Sequence, residues 1–144
     1  MMRRHMTTKT ALFNTVPAVL LAAAGLALTA PSRADDVVHQ VKYTVTAANP
    51  IYANIYYLDQ EPANFGDYSH NPYQFVPNVQ ADIGPGNPWI YQLTLTNPDQ
   101  WALVTANTGT EPFTPNFHCE LAVDGVVVAT NDGPKGVVCS LRHW

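Results

Sequence analysis

Residues 117–130 read Phe-His-Cys-Glu-Leu-Ala-Val-Asp-Gly-Val-Val-Val-Ala-Thr, and they decide the fold class. Phe117, Cys119, Leu121 and Val123 alternate with His118, Glu120 and Ala122, the period-2 pattern of a strand with one face turned to a core. Asp124-Gly125 follows at once, and a type I′ turn needs positive φ, which these residue types tolerate. Val126 to Thr130 then returns as the second arm of a hairpin. Asn131-Asp132-Gly133-Pro134 turns the chain again, and Val137, Cys139 and Leu141 form the inward face of a last strand.

The same rhythm extends upstream. Val37, His39, Val41, Tyr43 and Val45 alternate with Val38, Gln40, Lys42, Thr44 and Thr46 until Asn49-Pro50 ends the run. From Ile51 to Asp59, Ile51, Ala53, Ile55 and Tyr57 oppose Tyr52, Asn54, Tyr56 and Leu58; both faces are largely apolar or aromatic, which predicts a central strand. Trp89 to Thr96 alternates, Asn97-Pro98-Asp99-Gln100 supplies turn chemistry, and Trp101 to Asn107 completes what reads as a β-hairpin. Residues 60 to 88 break the pattern with repeated Pro and Gly and read as a long loop, with room for a short strand around Gln74 to Val79. Its aromatics argue that it folds partly back on the domain. The expectation is an all-β, immunoglobulin-like β-sandwich of about seven strands with no helix in the domain.

Compartment follows from the N-terminus. Residues 1–34 show a basic start (Arg3, Arg4, His5, Lys9), an apolar core from Val16 to Ala30, expected as a leader helix, and the triplet Ser32-Arg33-Ala34. Cleavage is expected after Ala34, leaving residues 35–144 as one domain. The rival expectation is an anchor over residues 11–30, since a span needs roughly 20 apolar residues and Asn14, Thr15 and Pro17 interrupt this one. Four of the seven basic residues lie in the leader, so Lys42, Lys135 and Arg142 face eleven acids and the domain carries a net charge of −8. Nucleic-acid binding, which needs a basic footprint, is excluded.

An even pair of cysteines in an exported domain favours a Cys119–Cys139 disulfide. Its loop of about 20 residues implies roughly 3 kcal/mol of stabilisation. In a flat meander the two cysteine strands would stand about 9.6 Å apart. A disulfide tolerates Cα separations only up to roughly 7 Å. The last strand therefore crosses to the facing sheet or pairs directly with strand 117–123.

Chemistry-bearing motifs are sparse. His39, His70, His118 and His143 lie at no ligand spacing, and His118 and Cys119 point to opposite faces of a strand, so neither a metal site nor a cofactor is expected. Ser69 and Ser140 lack the Gly flanks of a nucleophile elbow, and Asp99, Asp124 and Asp132 are explained as turn residues. No catalytic residue is assigned and no enzyme is expected. Aromatics are the remaining asset: Tyr52, Tyr56, Tyr57, Tyr68, Tyr73 and Phe75 are hard to place in one core. Exposed tyrosines give contact area at low entropy cost. Tyr56, Tyr68, Tyr73, Phe75 and Trp89 are the candidate binding residues.

The run from Cys119 through Leu121 and Val123-Asp124-Gly125-Val126 to Cys139 resembles the C-terminal signature of the MmpS family of small mycobacterial membrane proteins. Val41 to Val45, Ala53 to Asp59 and Pro88-Trp89 are similar to pieces of that family too. The resemblance implies an immunoglobulin-like sandwich outside the plasma membrane, serving MmpL-type transporters that export lipids or siderophores. Only Cys119, Cys139, the Asp124-Gly125 turn and Pro88-Trp89 carry over residue by residue, and these are structural. The leader and the longer segment from Gln60 to Asn87 depart from the family pattern.

Two functions are thus expected: a transport accessory with an MmpL-type partner, or a free secreted module that binds a lipid, glycan or protein through the aromatic segment 60–87, which can equally cover a sheet edge. N-terminal sequencing of protein from the native host separates release from anchoring. An N-terminus at Asp35 in culture filtrate is the expected result, and an intact N-terminus in the membrane fraction would contradict it.

Overall fold

Alternating inward residues become eight strands in the computed structural model, which describes residues 37–142. The leader helix, its cleavage site and the anchor alternative fall outside the described residues. The strands are β1 (His39–Ala47), β2 (Ile51–Tyr57), β3 (Asn78–Ile83), β4 (Trp89–Leu95), β5 (Leu103–Asn107), β6 (Phe117–Val123), β7 (Val126–Gly133) and β8 (Gly136–Ser140). Two four-stranded antiparallel sheets result, in the orders β4-β1-β6-β7 and β3-β2-β5-β8. The all-β sandwich expected from periodicity is the fold, with eight strands where about seven were expected.

Each inner face is the apolar half of the pattern. Val41, Tyr43, Val45, Cys119 and Leu121 from the first sheet meet Ala53, Ile55, Val104, Ala106, Val137 and Cys139 from the second, and all are buried. Strand β2 is central, between β3 and β5, as its two apolar faces predicted. Across this core, the Tyr43 hydroxyl donates to the Leu58 carbonyl at 3.0 Å and accepts from the Leu103 amide at 3.4 Å. It thereby satisfies two backbone groups of the opposite layer, which burial would otherwise leave unpaired. Burial pushes the Tyr43 phenol well above its ordinary range.

The disulfide takes the first of the two routes left open by geometry. Strand β8 crosses to the second sheet and pairs with β5, and Cys119 and Cys139 join the sheets with a Cα separation of 6.1 Å. Facing sheets normally pack about 10 Å apart, so the layers converge here. The β7–β8 corner is correspondingly tight: a Cβ on Gly133 would lie 1.8 Å from the Gly136 carbonyl oxygen.

Three details differ from expectation. The segment Trp89–Asn107 is not a hairpin: β4 pairs with β1, whereas β5 pairs with β2 and β8 in the other sheet. Asn97-Pro98 starts a helical turn, α3 (Pro98–Trp101), in which Pro occupies the first-turn position where its missing N–H costs nothing. That turn carries the chain from one layer to the other. Short helices also interrupt the long segment: α1 (Phe65–His70), where the Asn64 side chain accepts from the Asp67 amide at 2.8 Å, and α2 (Pro72–Phe75). Glu61 pins its start by accepting from the Thr96 amide (2.8 Å), the Thr96 hydroxyl (2.7 Å) and the Asn97 amide (2.8 Å).

Its second half holds edge strand β3, shifted later than the short strand expected around Gln74 to Val79 because Gln74 belongs to α2, so residues 60–87 supply one sheet edge themselves. The Asp124-Gly125 turn is as expected, with φ of 51° and 80°. On the return arm, the register passes from Leu121↔Ala129 to Ala122↔Val127 and leaves Val128 as a β-bulge.

Tyr43→Phe keeps the ring but orphans the Leu58 and Leu103 backbone groups. It is expected to cost about 1–3 kcal/mol in urea unfolding. A loss too small to measure would show that the hydroxyl is dispensable.

Candidate recognition face

The five candidate aromatics are dispersed by the fold. Phe75 is 7% exposed and belongs to the core, and Tyr68 packs half-buried on Trp101 with ring centroids 5.6 Å apart. Tyr73, on α2, is 73% exposed. Trp89 lies on the inner side of β4 in a half-buried cluster with Tyr91 (5.9 Å, planes 7° apart) and with Tyr57 of β2 (5.1 Å). The Tyr91 hydroxyl donates to Asp59, and that bond is the main reason its phenol is pushed up to about 12; desolvation similarly raises Tyr57. These rings fill the side of the sandwich remote from the disulfide.

Tyr56 lies elsewhere, on the outer face of the second sheet. There β2 turns Tyr52, Asn54 and Tyr56 away from the core, because Ile51, Ala53 and Ile55 face inward. Register aligns their neighbours into rows. Gln80 of β3, Asn54 of β2 and Asn107 of β5 lie side by side across three strands. Tyr52 with Asp82 flanks this amide row on one side, and Asn78, Tyr56 and Thr105 flank it on the other.

The amide row is ordered. Gln80 Nε2 donates to Asn54 Oδ1 at 2.9 Å, and Asn107 Oδ1 accepts from the Gly109 amide at 2.8 Å. Gly109 has a φ of +62°, and a Cβ there would come within 2.5 Å of Asn54 Nδ2, so only glycine lets this loop pass beside the row. Tyr52 is 55% exposed. Sequence reading placed Tyr52 and Asn54 on one side of a strand but missed Gln80 and Asn107. The signal in the sequence is the uncharged alternation at 52, 54 and 56; the two partner strands become neighbours only through long-range pairing.

Charge gathers on the other sheet. His118 of β6 lies between Asp132 Oδ1 (2.8 Å from Nδ1) and Glu120 Oε1 (3.3 Å from Nε2), and only the imidazolium donates from both ring nitrogens. The Asp132 and Glu120 bonds raise its pKa above the usual 6.5. Because each ring nitrogen meets a different carboxylate, the trio links β6 to β7 rather than converging on one point. At the opposite end of the sheet, Asp124 Oδ1 accepts from the Gln40 amide at 2.9 Å and Asp124 Oδ2 lies 2.6 Å from His39 Nδ1. Those contacts, His39 first, hold the Asp124 carboxyl below its ordinary range.

The His118 clasp has a definite pH sign. A raised folded-state pKa contributes stability that is whole below about pH 6.5 and fades as pH climbs through the folded value. NMR titration should place the His118 midpoint above 6.5, and Asp132→Asn should bring it down. A midpoint unmoved by that substitution would refute the clasp.

The family comparison corrects the resemblance drawn from the cysteine signature. Residues 43–139 match the model of the Rv2576c beta-sandwich domain. The uncharacterized protein Rv2576c of Mycobacterium tuberculosis strain H37Rv is 42% identical over 137 residues, covering 91% of this chain and 88% of its own length. MT2652 of M. tuberculosis strain CDC 1551 and Mb2606c of Mycobacterium bovis, also described as uncharacterized, match with the same identity and coverage. The family matched is therefore not MmpS, and none of these relatives is named as such. The shared pattern of cysteine, alternating strand and Asp-Gly turn is what a disulfide-bearing antiparallel hairpin requires, so it does not discriminate between families. With the match running from Tyr43 in β1 to Cys139 in β8, the chain belongs to the Rv2576c beta-sandwich domain family.

Proposed function

We propose that the protein is an exported, non-catalytic binding module of the cell envelope whose recognition surface is the outer face of the second sheet. The composition of that face carries the reading. Solvent alone is satisfied by any polar side chain, and exposed surfaces are ordinarily rich in Lys, Arg, Glu and Asp. Here the outward positions of β2, β3 and β5 hold tyrosines, amides, a threonine and the buried Leu103, with Asp82 as the charged exception. Tyrosine offers rigid contact area and asparagine adaptable hydrogen bonding, a pairing typical of recognition surfaces.

Other observations support export and a non-catalytic role. The leader pattern directs the chain out of the cytoplasm, and a disulfide joining two sheets suits an oxidising compartment. The titratable groups brought together, His118 with Asp132 and Glu120 or His39 with Asp124, tie adjacent parts of an open sheet surface. Those are structural ties.

Cosedimentation with the insoluble envelope fraction of the native host tests the surface. Tyr52→Ala should reduce retention about tenfold, the loss expected of a central aromatic contact. Ile90→Ala, at a 47% exposed position on the other sheet, should leave it unchanged. Equal retention of the two variants, or no cosedimentation of the parent protein, would overturn the proposal.

A further inference from the structure

We infer that the ligand of this face is a neutral oligosaccharide, an inference that rests on the binding-module reading above. Three features of the face select that chemistry. Tyr52 and Tyr56 are four residues apart on one strand, which separates them by about 13 Å along it. The amide row of Gln80, Asn54 and Asn107 lies between them. A saccharide chain laid along β2 would stack one ring on the exposed Tyr52, cross the amides and end against the half-buried Tyr56.

Sugar rings carry apolar C–H faces ringed by hydroxyls. The C–H face stacks on the electron-rich face of a phenol ring. Each hydroxyl both donates and accepts, and a carboxamide offers one carbonyl acceptor and two N–H donors to match. Beyond the Gln80–Asn54 and Asn107–Gly109 bonds, no protein hydrogen bond is made by Gln80 Oε1 or Asn107 Nδ2 among the described residues. Those atoms are left to a ligand in solvent.

Charge excludes the competing classes. No Lys or Arg stands on the outward positions of β2, β3 and β5, and Asp82 sits at the end of the face, so an anionic glycan or phosphate meets no counterion on these three strands. A peptide adding as a strand would pair along the free edge of β3 and not over the tyrosines, because the strand carrying both is paired on both sides. The amides between the rings would be stranded beneath a lipid chain, leaving buried polar groups unpaired.

The test presents the purified protein to immobilised neutral gluco-, manno- and galacto-oligosaccharides, to uronic-acid oligosaccharides and to phosphatidylcholine vesicles. Retention on a neutral oligosaccharide, weakened about tenfold by Tyr52→Ala and also by Gln80→Ala but not by Ile90→Ala, is the expected result. Both substituted positions on this face are exposed, and circular dichroism checks that the variants fold. Neutral-glycan retention indifferent to the two face variants would place the site elsewhere and overturn the inference. Retention only on uronic-acid oligosaccharides or vesicles would overturn the ligand class. Failure on the whole panel, with Tyr52-dependent envelope cosedimentation intact, would overturn the neutral glycan while leaving the binding module standing; failure of both would remove both.

Discussion

The covalent link between Cys119 and Cys139 sets the geometry to which the other contacts conform. It draws the two layers to a Cα separation of 6.1 Å, and at the neighbouring corner Gly133 leaves no room for a Cβ. Beside the disulfide, Val104 of β5 and Tyr43 and Val45 of β1 fill the space, with Ala53 and Ile55 of β2 beyond. At the far margin the rings of Tyr57, Trp89 and Tyr91 fill it. Tyr43 is the second link between layers, since its hydroxyl occupies two backbone groups of the opposite sheet. One margin is closed covalently and the other by half-buried aromatic packing.

That asymmetry explains why the aromatics do not form one site. Trp89 and its neighbours serve the wide margin, and Phe75 serves the core. The outward side of β2 remains, where Ile51, Ala53 and Ile55 hold Tyr52, Asn54 and Tyr56 in fixed alternation. Because β2 is central in its sheet, both flanks of that row are rigidly supported, a condition for holding a ligand without ordering a loop. The two sheets thus divide their outer labour: one carries paired charges, the other an almost uncharged polar surface.

Strand identity was legible in the sequence wherever one side was apolar. The alternation of Val41, Tyr43 and Val45 and the doubly apolar run from Ile51 to Asp59 gave β1 and a central β2. Sheet membership was not legible, because period-2 patterning tells which side of a strand faces the core but not which layer the strand joins. Trp89–Thr96 and Trp101–Asn107 look like hairpin arms until α3 swings the second into the other sheet. Strand β3 was hidden by its own position: at an edge, with Gln80 and Asp82 outward and Pro77 and Gly84 at its ends, it resembles loop. The amide row was illegible for a related reason, since Asn54, Gln80 and Asn107 meet only after three strands find their register.

The bulge at Val128 bears on how many copies of this domain can crowd together. Val126, Val127 and Val128 are exposed on strand β7 at a sheet margin, and an uncharged valine run at an edge is an invitation to stack strand upon strand. The extra residue twists the edge out of the flat line such stacking needs, and Asp124 and Asp132 bracket the run with like charge. Wherever copies of this domain meet at high concentration, a kinked, acid-flanked margin opposes the edge-to-edge pairing that would join them.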